Sequence, residues 1–131
     1  MSRDDEVEEI AMQCAIDYEI SKGRKPKDVS KDNVGYDVRS IDPEGEKRYI
    51  EVKGRSGIDG VMLSENEMNR LYQLGTRAWL YIVTNCKSTP QLNIINDPAR
   101  RMTFDKKTKG VQFYLSLEEW QTKIDKNETT I

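Results

Sequence analysis

Residues 36–41 and 47–54 alternate apolar with polar side chains on either side of Asp42-Pro43-Glu44-Gly45-Glu46, a connection of hairpin length built from turn formers. Placing Ile41 opposite Lys47 pairs Tyr36 with Val52 and Val38 with Ile50, which collects apolar residues on one face. A slip of one residue would break that pairing, so burial specifies the register. The same alignment predicts that Asp37 stands opposite Glu51 on the other face, with Lys53 beside Glu51.

That juxtaposition has chemical content. Directly opposed carboxylates lie with Cβ atoms about 4.5–5.5 Å apart and repel unless something neutralises them. A hard divalent ion such as Mg²⁺ does so through one or two carboxylates, with water and phosphate oxygens completing an octahedron. Asp37 and Glu51 are the candidate metal ligands, and the backbone carbonyl of Val52 is a candidate third. Lys53 is then placed to orient a water or to stabilise charge on a phosphorane. A plainer reading stays open, in which Lys53 only forms salt bridges with Asp37 and Glu51 on a solvated sheet face.

Around this hairpin the pattern predicts an α/β layer architecture. Val7, Ile10, Ala11, Cys14, Ala15 and Tyr18 recur at helical spacing over residues 5–21, with Met12, Ile16 and Ile20 as a second apolar line. Gly23 and Pro26 end that helix. Residues 61–63 read as a short strand. Ser64-Glu65-Asn66-Glu67 has the form of a capping box that opens a helix running to Gly75. Residues 78–84 read as a buried strand, 91–95 as an edge strand and 111–115 as another strand, and Ser116-Leu117-Glu118-Glu119 is a second capping box. The expectation is one domain over residues 1–126 with a flexible tail at 127–131. Of the two cysteines, Cys14 reads as core and Cys86 as incidental.

The chain has no histidine, which removes Ser-His triads, Cys-His nucleophiles and His-ligated zinc. No stretch approaches the roughly 20 apolar residues of a membrane span and no apolar signal core is present, so a cytoplasmic protein is expected. The net charge of −2 is unevenly distributed: residues 1–20 carry one basic and seven acidic side chains, leaving the remainder at +4. Basic clusters at Lys22/Arg24/Lys25/Lys27 and Arg100/Arg101/Lys106/Lys107/Lys109 read either as nucleic-acid contacts or as solvated loops.

Glu8-Glu9-Ile10-Ala11-Met12, Tyr18-Glu19, Gly23-Arg24-Lys25-Pro26, Asp28-Val29-Ser30, Gly35-Tyr36-Asp37, Arg48-Tyr49-Ile50-Glu51-Val52-Lys53-Gly54-Arg55, Leu63, Asn66-Glu67, Trp79-Leu80-Tyr81, Pro90 and Asp97-Pro98 follow one another in this order. Over residues 7–98 the chain thereby resembles the DUF3883 family, also called the NO VEIN C-terminal domain. That family is similar to the PD-(D/E)XK nuclease superfamily and is often attached to helicase-like proteins. Met68 departs from the pattern, where tryptophan is expected, and nothing is recognised from residue 103 onward.

The resemblance implies a restriction-endonuclease-like mixed sheet flanked by helices. It also implies Mg²⁺ or Mn²⁺ as cofactor, Asp37 and Glu51 as metal ligands, Lys53 as catalytic lysine and an assisting glutamate on the first helix. Glu8 is the first choice for that role and Glu19 the second, since eleven residues bring them to almost the same side of a helix. Either is otherwise an exposed helix carboxylate. Asn66 and Glu67 face the cleft or merely cap their helix, Arg55 contacts a phosphate, and Trp79 and Tyr81 read as core. The expected function is a DNA endonuclease working with a helicase-like protein, with homodimerisation for paired cutting. The alternative is an inactive module of the same fold that binds nucleic acid or a partner protein.

Overall fold

Val7, Ala11, Ala15 and Tyr18 lie buried along one side of helix α1 (Arg3–Ser21), and the main sheet packs against that side. The computed structural model describes residues 3–107, 112–125 and 128. A five-stranded mixed sheet runs in the order β1 (Lys25–Asp28), β2 (Val38–Ile41), β3 (Lys47–Gly54), β5 (Ala78–Thr84) and β6 (Gln91–Asn96). All neighbours are antiparallel except β3 and β5, which are parallel. Parallel strands need a long crossover. Here it comprises β4 (Val61–Ser64), helix α2 (Glu65–Leu74) and a 3₁₀ turn at Gly75–Arg77. Strand β4 pairs with β8 (Gln112–Leu115), which pairs with β7 (Asp105–Lys107), forming a second, three-stranded sheet. The short helices α3 (Pro98–Arg101) and α4 (Leu117–Gln121) complete the chain.

Two apolar layers result. Val38, Ile50, Tyr81, Val83 and Ile94 pack with α1 on one face of the main sheet. On the other face Ala78, Leu80, Ile82 and Ile95 pack with Leu63, Leu71, Leu115 and Trp120. Glycine sets the spacing of the first layer. A Cβ on Gly54 would come within 2.7 Å of the Ala11 Cβ and 3.0 Å of the Val7 carbonyl oxygen, so only a bare backbone lets α1 sit this low on β3. No helix among the described residues is long and apolar enough to cross a membrane.

The hairpin register is the expected one, with Val38 opposite Ile50 and Ile41 opposite Lys47. The ladder stops at Val38, however, and the pairs Tyr36/Val52 and Asp37/Glu51 do not form. Tyr36 instead packs edge-on to Tyr49, ring centres 5.1 Å apart. The cause is β1, a strand of Lys25-Pro26-Lys27-Asp28 with no apolar alternation for sequence to reveal. It leads into a bend in which the Val29 amide donates to the Asp37 carbonyl at 2.8 Å, drawing the chain off the ladder.

Other expectations are met in part. Ile20, on the second apolar line of α1, is 58% exposed, so that line is not covered along its whole length. Cys86 is the buried cysteine, while Cys14 is half-buried. Ser64 and Glu67 form the full reciprocal capping box. Ser116 accepts from the Glu119 amide at 3.2 Å, but the Glu119 carboxylate is engaged by the Thr103 amide and Lys123, so that box is half made. Arg100 and Arg101 are anchored: Arg100 donates to the Tyr72 carbonyl and pairs with Asp97, and Arg101 pairs with Asp125. Glu128, within the expected tail, accepts from the Tyr18 hydroxyl and from Arg48.

Candidate active site

Where β2 leaves the ladder, β3 has an unpaired edge, and the site forms there. The Asp37 amide donates to the Ile50 carbonyl at 2.8 Å, the last backbone bond between the two segments. Two residues on, the Val52 amide has no strand partner and donates at 2.8 Å to Asp37 Oδ2. A strand residue directs its N–H and C=O to the same edge, so the Val52 carbonyl faces the same side as Asp37. Glu51, one residue back, is only 2% exposed.

Asp37, Glu51, Val52 and Lys53 line one cleft of about 420 Å³, closed by Glu8, Ala11 and Met12 of α1, by Ser30 and Lys31, and by Glu67 of α2. Lys53 Nζ lies 3.4 Å from Glu51 Oε2 and 3.0 Å from Glu67 Oε1. That same Glu67 oxygen accepts from the Ser64 amide at 2.9 Å, so the cap of α2 and the grip on Lys53 share one atom. Helix α2 also holds the loop that delivers Asp37. Arg70 Nε donates to the Val34 carbonyl at 2.9 Å, and Gly35, at φ +88°, lies where a Cβ would be 2.9 Å from the Arg70 Cβ.

The electrostatics are unbalanced. Four carboxylates, Glu8, Asp37, Glu51 and Glu67, line the cleft with two lysines, and of those two it is Lys53 that pairs with Glu51 and Glu67. Burial pushes the Asp37 carboxyl up, against the Val52 amide that lowers it. Burial, reinforced by the Asp37 charge, pushes Glu51 well above the usual carboxylate range. For Lys53 burial works against the charge, but Glu51 and Glu67 outweigh it and hold the amine above its usual value. Burial opposes ionisation of Glu67 too, yet Lys53 and the Ser64 amide keep it below its usual value. The cleft thus holds one buried and one half-buried acid strained toward protonation, which a bound cation would relieve.

Among the described residues no three Asp, Glu or Cys side chains form a group that could hold an ion by themselves. The protein's share of a coordination shell here is two carboxylates and a strand carbonyl. Such a set of hard oxygens suits Mg²⁺, which keeps several waters and binds phosphate oxygens.

The first-helix glutamates part company. Glu8 is exposed and lines the cleft, so of the two it is the one placed to act there. Glu19 does not line it and must be removed from the catalytic set. Helical angle brings the two to one side, but eleven residues also separate them by about 16 Å along the axis. Glu19 is fully buried, bound by Arg24 through both oxygens at 2.6 and 3.1 Å and by the Tyr81 hydroxyl at 2.5 Å. Asn66 is exposed and does not line the cleft. Arg55 pairs with Asp59 at 3.0 Å, an exposed pair. Tyr81 is core as expected, and half-buried Trp79 carries the Arg48 guanidinium 3.7 Å above its ring. Of the pair Asn66 and Glu67, it is Glu67 that belongs to the cleft. The sequence left it between facing the cleft and capping its helix, and one carboxylate oxygen does both.

A mixed α/β domain with an acid and lysine cleft at the open edge of a hairpin strand is the class that fold and site define. Within it, the chain belongs to the Protein NO VEIN C-terminal family, whose model matches residues 7–95 and so covers the whole cleft. Neither a curated protein nor a solved structure matches the chain.

Proposed function

We propose that this protein is a Mg²⁺- or Mn²⁺-dependent DNA endonuclease domain of the PD-(D/E)XK kind. The observation that carries this reading is the convergence of Asp37, Glu51 and Lys53, from a bend and one strand, on a single cleft short of positive charge. Asp37, Glu51 and the Val52 carbonyl would hold the ion, which when bound polarises a phosphoryl oxygen and lowers the pKa of a water.

The chain's own residues supply the rest. The Val52 amide fixes the Asp37 carboxylate. Burial keeps Glu51 from wandering, and Glu67 steers the Lys53 amine to within reach of Glu51, where it can hold a water or a phosphate oxygen. Glu8 at the rim is placed to accept a proton from an entering water. A helicase-like partner and a paired second copy fit this reading as sources of DNA affinity and of double-strand cutting. The competing reading, an inactive binding module, draws its support from the Lys53 amine being held by two carboxylates.

Supercoiled plasmid incubated with the purified protein, with Mg²⁺, with Mn²⁺ and in chelator, tests the proposal. Open circles indicate nicking and linear product indicates paired cutting, both absent in Asp37→Asn. Intact plasmid with either ion would favour the binding module.

A further inference from the structure

The face of β1–β3 turned away from α1 has a feature that the cleft does not use. Directly paired residues share a face, so the register sets Lys25, Ile41 and Lys47 in one row and Lys27, Arg39 and Tyr49 in the next. Val38 and Ile50, from the alternate row, are buried against α1, which puts these two rows on the opposite side of the sheet. Arg77 joins them from the turn before β5, its guanidinium carbon 5.7 Å from the centre of the Tyr49 ring. Lys25, Lys27, Lys47 and Arg77 are exposed and Arg39 is half-buried.

Among the described residues none of these five cations belongs to an ion pair. The other arginines with described side chains are all engaged. Arg24, Arg48, Arg55, Arg100 and Arg101 pair with carboxylates, and Arg70 holds the Val34 carbonyl. In a chain of net charge −2, five unpaired cations gathered on one sheet face are not the by-product of general basicity. The basic run at residues 22–27 is thereby divided: Arg24 turns inward to Glu19, while Lys25 and Lys27 stand on the open face.

The face is continuous with the cleft. Along β3 the same side carries Lys47, Tyr49, Glu51 and Lys53, each about 7 Å from the next. The roughly 20 Å from Lys47 to Lys53 matches about six nucleotides at 3.4 Å apiece.

We propose that a nucleic-acid strand docks on this face, its phosphates on Lys25, Lys27, Arg39, Lys47 and Arg77, and runs along β3 into the cleft. Tyr49 offers a ring on which a base can stack. The choice of nucleic acid over another polyanion rests on the reading of the cleft as a phosphodiester centre; the docking face itself rests on the unpaired cations.

Fluorescence anisotropy of a labelled oligonucleotide, single-stranded and duplex, titrated in chelator with the full chain carrying Asp37→Asn, reads binding without cutting. The logarithm of the association constant should fall linearly with the logarithm of salt concentration. Adding Lys27→Ala and Arg39→Ala should weaken binding several-fold and lower the slope by about 1 per lost contact. Adding Lys25→Ala and Lys47→Ala, both at exposed positions, should do the same with little packing change. Lys123→Ala, in an ion pair elsewhere, should change neither quantity.

Absence of salt-dependent binding, or patch variants indistinguishable from Lys123→Ala, overturns the docking face. Plasmid cleavage by the wild-type chain is scored separately. Binding that maps to the patch without metal-dependent cleavage keeps the docking face and removes the nuclease reading. Cleavage that the patch substitutions leave unchanged keeps the nuclease and removes the docking face.

Discussion

The two ends of α1 bury acidic groups in opposite ways. Near Glu19, each acid has a cation: Glu19 with Arg24, and Glu128 with Arg48 at 2.8 Å, while the hydroxyls of Tyr81 and Tyr18 donate to the same carboxylates. Near Glu8, buried Glu51 and half-buried Asp37 share Lys53 as cation, and Glu67 competes for it. Tyrosine titration follows the contrast. Burial and Glu128 push Tyr18 up to about 12, and burial with Glu19 drives Tyr81 higher, so both hydroxyls remain donors at any ordinary pH. Compensated burial makes a strut, and uncompensated burial makes a site with unmet demand for positive charge.

The largest expected effect breaks the compensated end. Glu19→Ala leaves Arg24 and the Tyr81 hydroxyl without their partner in a buried setting. It should cost about 3–5 kcal/mol, a fall of the melting temperature by roughly 10–20 °C, read by thermal melts. A loss under about 1 kcal/mol would mean the cluster is not the strut described.

Removing a negative charge has the opposite sign in the cleft. Asp37→Asn keeps an acceptor for the Val52 amide and removes repulsion, so thermal stability should hold or rise by up to about 1–2 kcal/mol. The rise in melting temperature that saturating Mg²⁺ gives the wild type through mass action should disappear with it. A destabilised variant beside a wild type indifferent to both ions would return Asp37 and Lys53 to a structural ion-pair role.

Acid titration in chelator sharpens the contrast further. Glu128 is held below its usual value: burial opposes this but Arg48 and Tyr18 outweigh it. Its stabilisation is therefore present above the ordinary glutamate range and lost as pH falls through the depressed value. Asp37 and Glu51 are raised, so their cost is present at neutral pH and is relieved as pH falls through their elevated values. Melting curves of wild type and Glu128→Gln should differ at neutral pH and converge in acid with the wild type falling. Those of wild type and Asp37→Asn should converge sooner, with the wild type gaining. Parallel curves in both comparisons would contradict the assignment.

The smallest effect separates the two tasks of Glu67. Glutamine still satisfies the capping box, so Glu67→Gln should change stability by under about 1 kcal/mol while loosening Lys53 and lowering any metal-dependent cleavage. Glu67→Ala should add the cost of the lost cap, on the order of 1 kcal/mol. Equal cleavage in wild type and Glu67→Gln would leave Glu67 a cap alone.

Much of this was legible in the sequence, for reasons that residues make plain. Val38 and Ile50 are fully buried opposite one another, and burial is what alternation reports, so the hairpin register could be read. The point at which the ladder stops could not. It depends on β1, a strand of two lysines, a proline and an aspartate held by pairing and not by an apolar face. Glu8 and Glu19 could be put on one side of a helix by counting. Only the approach of Tyr81, 62 residues away in sequence, and the inward turn of Arg24 show that Glu19 belongs to another cluster. Strands at residues 61–63 and 111–115 were readable, but not that β4 and β8 pair in a second sheet, which local patterns do not encode.

The parallel pairing of β3 with β5 has a consequence for how the site comes into being. The hairpin that sets Asp37 near Glu51 closes a loop of a few residues, a local event. The crossover that brings Glu67 to Lys53 must be threaded between two parallel strands before their contacts reward it, the kind of step that slows folding. The carboxylate half of the cleft is therefore an early, local product of refolding and the lysine clamp a late one. Substitutions at Val38 or Ile50 should act on the folding rate, while those at Glu67 or Arg70 should act mainly on the unfolding rate.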